Sequence, residues 1–214
     1  AYEFAKAAFE LSEKYDTPVL LRMCTRIAHS QSIVETGERG EVKNIPYEKN
    51  GEKYIMMPGN AKKRHPVVEE RTKKLTELAE NCAFNKIEMN GSGIGIITSG
   101  TCYQYVKEVF GDSVSVYKLG MVNPLPEKSL RDFAASVKKL YVVEELDPII
   151  ENHCKTLGLS VEGKSMFSML GEFSQETVAE AFGHEKPGTY ENKTPIPVRP
   201  PMMCAGCPHR GMYY

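Results

Sequence analysis

Several things that would narrow the sequence at once are missing from it. No apolar run approaches the ~18 residues that span a bilayer, so no transmembrane helix and no membrane partner are expected. Neither sign of charge is in excess: 27 basic residues face 28 acidic ones for a formal net charge of -1, which removes the basic footprint of a nucleic-acid binder. The six cysteines include a single closely spaced pair, too little for a disulfide framework, and a reducing cytoplasm is the expected compartment. The chain opens at Ala1 inside a helical pattern, without an initiator Met or a charged leader before an apolar segment. No signal peptide is expected, and the stretch reads as an excerpt of a longer polypeptide.

Familiar site motifs are also missing from the interior. The glycines of NGSGIGIITSG precede or open a strand, whereas a dinucleotide fingerprint sets its glycines after the strand, and Ile96 holds the place of the third. The turn Ser99-Gly100-Thr101 follows that strand and could cradle a phosphate, but it has no Walker lysine; a tight turn needing glycine for its backbone angles is at least as good a reading. No serine or cysteine nucleophile with a nearby histidine stands out. Glu144 and Glu145 end a strand just before a helix N-terminus. They fit acid/base chemistry if a neighbour raises one pKa, or a structural or interface role if the helix dipole keeps them ionised.

What the sequence does have is a regular α/β core between Gly93 and Leu146. GIGIITSG is a strand, and TCYQYVKEVF a helix with Cys102, Val106, Val109 and Phe110 on one stripe. VSVYKLG is the next strand, PEKSLRDFAASV a helix with Pro126 in its first position, and KKLYVVEEL a strand covered on both faces. Asp147-Pro148 reads as the cap and first turn of a further helix. Strands joined by single helices must run parallel, with right-handed crossovers. KSMFSML offers a last strand, and Ser174 to Phe182 a closing helix that stops at Gly183.

The flanks read differently. Tyr2 to Tyr15 carries Phe4, Ala8, Leu11 and Tyr15 on one helical face, and TPVLLRM (17–23) reads as a buried strand. One helix and one strand cannot bury two faces, so this is expected to be the tail of an α/β domain whose earlier strands lie upstream. CTRIAHS follows that strand's carboxyl end, where open α/β sheets bind ligands, which makes Arg26 and His29 candidates for an active-site rim. A basic surface loop at a domain contact is the plainer reading, and it stands ahead. Residues 35–91 are expected to be a connector with one helix, entered at Pro66 and ended by Asn81 and Asn85, with the basic run Lys62, Lys63, Arg64, His65 as a solvated charge run at its entry rather than a phosphate holder. TPIPVRPP is a stiff, extended spacer.

Beyond the spacer, Cys204 and Cys207 in CAGCPHR form a C-x-x-C pair, which lets two thiolates on one turn reach a single metal or neighbouring irons of a cluster. Two ligands are half a site. A redox dithiol and two unbridged surface thiols are the rival readings.

Taken together, CAGCPHR after RPP, TPVLLRMCTRIAHS, RHPVVEER, GIITSG, KLGMVNPLPEK and LYVVEELDP resemble the alpha subunits of the indolepyruvate ferredoxin oxidoreductases, within the thiamine-diphosphate-dependent 2-oxoacid:ferredoxin oxidoreductases. The resemblance implies an α/β fold, a transketolase C-terminal-like three-layer domain with a mostly parallel sheet at residues 92–183. It would be flanked by the end of a pyrimidine-binding domain (1–34), the connector (35–91), a Pro-rich linker (184–203) and the start of a diphosphate-binding domain (204–214). It implies an enzyme that oxidatively decarboxylates an aryl 2-oxoacid to its acyl-coenzyme A. The implied cofactors are thiamine diphosphate with Mg, [4Fe-4S] clusters and coenzyme A; the implied partners are a beta subunit, ferredoxin and a homo-oligomer of heterodimers. Cys204 and Cys207 match a cysteine pair that opens a cluster's ligand set, and His209 a polar position near the cofactor. Met23-Cys24-Thr25-Arg26 departs from the Thr-Thr-Thr-Arg common in relatives. A non-catalytic assembly module, or an enzyme of this class for pyruvate or branched-chain acids, are the alternatives.

Overall fold

The computed structural model describes residues 1–41, 46–185, 193–195, 197, 203 and 205–213. In chain order these form α1 (Tyr2–Tyr15), α2 (Thr25–His29), α3 (Gly51–Tyr54), α4 (Pro58–Glu80), β1 (Lys86–Glu88), β2 (Ile94–Ser99), α5 (Cys102–Phe110), β3 (Ser115–Leu119), α6 (Glu127–Ala135), β4 (Lys139–Val143), α7 (Ile149–Thr156), α8 (Gln175–Ala181) and α9 (Arg210–Tyr213).

The sheet order is β1-β3-β2-β4, with β2 parallel to both β3 and β4 and β1 antiparallel at the edge. Alternation along each strand sends neighbouring side chains to opposite faces. Ile96, Val116 and Val143 pack with Val106 and Phe110 of α5 and Val178 of α8. Ile97, Tyr117, Leu119 and Val142 pack with Leu130 and Phe133 of α6 and Ile150 and Cys154 of α7. Burying one such Ile or Val on both sides of the ladder contributes about 1.5–3 kcal/mol. Three layers result, α/β/α, as the repeating strand and helix pattern requires. Gly95 faces α6 and the turn after it: a Cβ there would stand 2.9 Å from Val137 and 3.1 Å from Phe133, so a side chain would force both to shift.

Elsewhere the expectations need correction. No strand forms at 17–23; the residues run without regular structure, and Leu20 is 94% exposed. A strand needs a neighbour to take its backbone hydrogen bonds, and here none of the sheet's strands lies beside it. No strand forms in KSMFSML either. The backbone is diverted first: Glu151 takes the Lys164 N–H at 2.7 Å, and Met166 turns back onto the Gly163 carbonyl. Phe167 still reaches the core, 6% exposed. Among the described residues, this side of β4 carries one isolated parallel bridge, Tyr141 with Glu162. Helix α4 starts at Pro58, not at Pro66, which lies inside it. Pro58 occupies the favoured first turn, and the seven residues between it and Pro66 hold no helix breaker other than Gly59. Within 35–91 the short α3 accompanies α4, and β1 already belongs to the sheet. Phe4, Ala8, Leu11 and Tyr15, all half-buried, do share one side of α1, and the Phe4 ring meets Phe84 at 4.2 Å between centroids.

Candidate functional site at the carboxyl edge of the sheet

After β2 the chain crosses to β3 on one side, and β4 lies on β2's other side. The connections leaving β2 and β4 therefore diverge, and the space above their carboxyl ends is where open α/β sheets take ligands. Ser99, Gly100 and Thr101 stand at the carboxyl end of β2, and Glu144, Glu145 and Leu146 follow β4.

Gly100 has φ of 58° and open space where a Cβ would stand, so the turn needs glycine for its angle and not for a close approach. Thr101 opens α5 without a side-chain cap. These features fit the tight-turn reading.

Glu144 is 7% exposed and is spent on the neighbouring helix. Its two oxygens accept the N–H groups of Ile150 and Glu151, each at 2.9 Å, in the first turn of α7. The cap thus comes from Glu144 and not from Asp147, because Leu146, at φ 60°, reverses the chain and leaves Asp147 exposed. Burial pushes the Glu144 carboxyl above the ordinary range, while the two N–H donors pull it back. Lys164 donates its ammonium to the Glu144 carbonyl at 2.6 Å and lies 5.0 Å from the Phe173 ring centroid. Glu145 accepts the Phe173 N–H at 2.8 Å.

The buried thiols are poor nucleophiles. Burial, and then the Glu145 charge, push Cys102 up to about 12; burial, and then Glu144, push Cys154 up to about 12.

Arg26 on α2 is exposed and donates to Glu172, from Nε at 3.1 Å and from Nη2 at 2.5 Å. Glu172 immediately precedes Phe173, so this contact brings Arg26 to the carboxyl edge. His29 ends α2, also exposed. Cys207 is half-buried, with its Sγ 3.4 Å from His209 Nδ1. Cys204 lies outside the described residues, as does most of the Pro-rich linker. Among the described residues no group of three or more His, Cys, Asp and Glu side chains is gathered to hold a metal, and no hydrogen bond or ion pair joins Arg26 or His29 to Cys207 or His209. Cys207 and His209 by themselves do not make a cluster site.

The basic run also separates into individual contacts. As part of a helix its side chains diverge: Lys63 meets Glu52 at 3.3 Å, Arg64 meets Asp16 at 3.7 Å and His65 meets Glu69 at 3.0 Å. Asp16, an αL residue closing α1, is shared with Lys53 and Arg71; its carboxyl is held below the ordinary range chiefly by Lys53. Sequence reasoning missed Asp16, Lys164 and Glu172. Each acts on a partner far off in the sequence, and nothing local marks it.

No family model matches the chain. It is 32% identical over 234 residues to the indolepyruvate oxidoreductase subunit IorA of Archaeoglobus fulgidus, covering 100% of this chain and 38% of that one. The subunits of the same name from Thermococcus kodakarensis (34% over 243 residues, 100% and 38% covered) and Methanothermobacter marburgensis (36% over 234 residues, 99% and 37% covered) are similar to the same degree. Among solved structures, a 2-oxoglutarate:ferredoxin oxidoreductase from Magnetococcus marinus, with 2-oxoglutarate, coenzyme A and succinyl-CoA bound, aligns at 18% identity with a TM-score of 0.47. That alignment covers 60% of this chain and 23% of that one. The chain spans a little over a third of the length of the curated relatives it matches.

Proposed function

We propose, starting from a chain that belongs to the indolepyruvate oxidoreductase IorA family, that it works as the domain-organising part of an enzyme oxidising indolepyruvate and related aryl 2-oxoacids to the acyl-coenzyme A, with ferredoxin as electron acceptor. The observation that carries this reading is similarity at 32–36% identity along the whole chain, not confined to one motif. The partition proposed is the end of a pyrimidine-binding domain at 1–34, a connector at 35–91, a transketolase C-terminal-like domain at 92–183, a linker at 184–203 and the start of a diphosphate-binding domain at 204–214. A second subunit completes the enzyme.

The cofactors belong to that larger assembly. Thiamine diphosphate would supply the carbanion chemistry of decarboxylation, and iron-sulfur clusters the one-electron steps. Cys204 and Cys207 would give two of a cluster's ligands, and Arg26, His29 and His209 would stand toward the cofactor. The α/β unit itself brings no activated nucleophile: Cys102 and Cys154 are buried with raised pKa values, and Glu144 is occupied as a cap. Its contribution is placement.

The test is the full-length protein, prepared anaerobically with its partner subunit and supplied with indolepyruvate, coenzyme A and a viologen dye. Dye reduction is expected. If pyruvate or a branched-chain acid is turned over instead, the substrate assignment is wrong; if none is, the catalytic reading gives way to an assembly role.

A further inference from the structure

Arg26 and Glu172 are 146 residues apart in sequence, and the two ends of their contact are anchored unequally. Helix α2 has no buried residue. Glu172, by contrast, adjoins Phe173, which is 4% exposed, packs on Phe167 at 5.1 Å between ring centroids and donates its N–H to Glu145 at the end of β4. A carboxylate on an anchored stretch of backbone therefore meets a guanidinium on a weakly held helix. Both Arg26 donors in use, Nε and Nη2, go to one oxygen, Oε2. A guanidinium has five N–H groups, so three remain for another acceptor. The side chains are 74% and 64% exposed, and a pair so open to water is screened: it holds a position without locking it.

We propose that Glu172 is a positioning residue, holding Arg26 at the carboxyl edge of the sheet with its remaining N–H groups turned to an anionic group that the assembled enzyme brings there. The inference rests on the function proposed above. Planar, forked donors of this kind suit a carboxylate or a phosphate oxygen pair. The anion is the carboxylate of the 2-oxoacid or the diphosphate of the cofactor, and the two are separable by experiment.

The experiment has two arms, both on the full-length chain with its partner subunit. In the first, hydrogen exchange of residues 24–30 is compared between wild type and Glu172→Gln; roughly fivefold faster exchange in the variant is expected, reversed in the charge-swapped pair Arg26→Glu with Glu172→Arg. Unchanged exchange overturns the positioning role, and this arm decides it even if the complex turns over no 2-oxoacid. In the second, Glu172→Gln is expected to raise either the KM for the 2-oxoacid or the Kd for thiamine diphosphate by roughly three- to tenfold, more than it lowers kcat, and to add nothing when Arg26 is already Ala. A rise in KM alone assigns the anion to substrate, and a rise in Kd alone to cofactor. Full additivity of the two substitutions, or no change in either constant, overturns the proposal.

Discussion

Glu144 illustrates how one side chain can satisfy a helix and still cost the fold something. Its carboxylate closes two otherwise unpaired N–H groups of α7, yet burial raises its pKa, so ionisation is harder in the folded chain than in the unfolded one. The sign follows by linkage: between the ordinary and the raised value the folded state binds more protons, so this group's contribution to stability falls as pH rises through that window. Glu144→Gln keeps an acceptor and loses the charge. On going from pH 4 to pH 7 the urea midpoint of Glu144→Gln is expected to shift further in the stabilising direction than that of wild type, while Glu144→Ala loses about 1–3 kcal/mol at either pH through its unpaired N–H groups. The pair Glu144 and Glu145 was legible in the sequence as strand-ending carboxylates. Their separate tasks were not, since these depend on where the chain turns at Leu146 and on Phe173, 28 residues beyond Glu145.

At the scale of elements, the strands and helices between Ile94 and Thr156 follow from the sequence because two-sided burial writes itself as unbroken apolar runs separated by amphipathic helices. The same signal misleads at 17–23, where it records that the residues suit burial and says nothing about what would bury them. Strand β1 escapes for the opposite reason: Lys86-Ile87-Glu88 is too short and too charged to leave a pattern. Helix α6 shows a further limit of local reading. Pro126 offers its first turn no side-chain cap, and Glu80, at the end of α4, accepts the N–H groups of Lys128 at 2.7 Å and Ser129 at 2.9 Å. A cap borrowed from another helix should stabilise as a local one does. Glu80→Ala is expected to cost about 1 kcal/mol in equilibrium unfolding; a loss within error would mean that water serves the two N–H groups equally well.

For the whole molecule, stability is concentrated in the three layers around β2. Ile96, Ile97, Val106, Val116, Leu130, Val143 and Val178 are each fully enclosed, whereas α1 and α2 bury no residue and the stretch between them exposes Leu20 and Leu21. Limited proteolysis is therefore expected to cut first within residues 18–41 and to leave a resistant product extending from α4 through α8, identified by mass spectrometry. Early cleavage between β2 and β4 would mean that the layers are not the stable unit. The candidate site was only half legible at this scale. Arg26 and the C-x-x-C pair stand out by residue type, but which of them share a location is decided by contacts spanning most of the chain.

The reach of the Arg26 to Glu172 contact has a consequence in time. A ribosome extends a chain at roughly 5–20 residues per second, so α2 is made on the order of 7–30 s before the carboxylate that receives it exists. Throughout that interval α2 lacks this seat on the later layers, and whatever else the nascent protein offers it gets the first chance to bind.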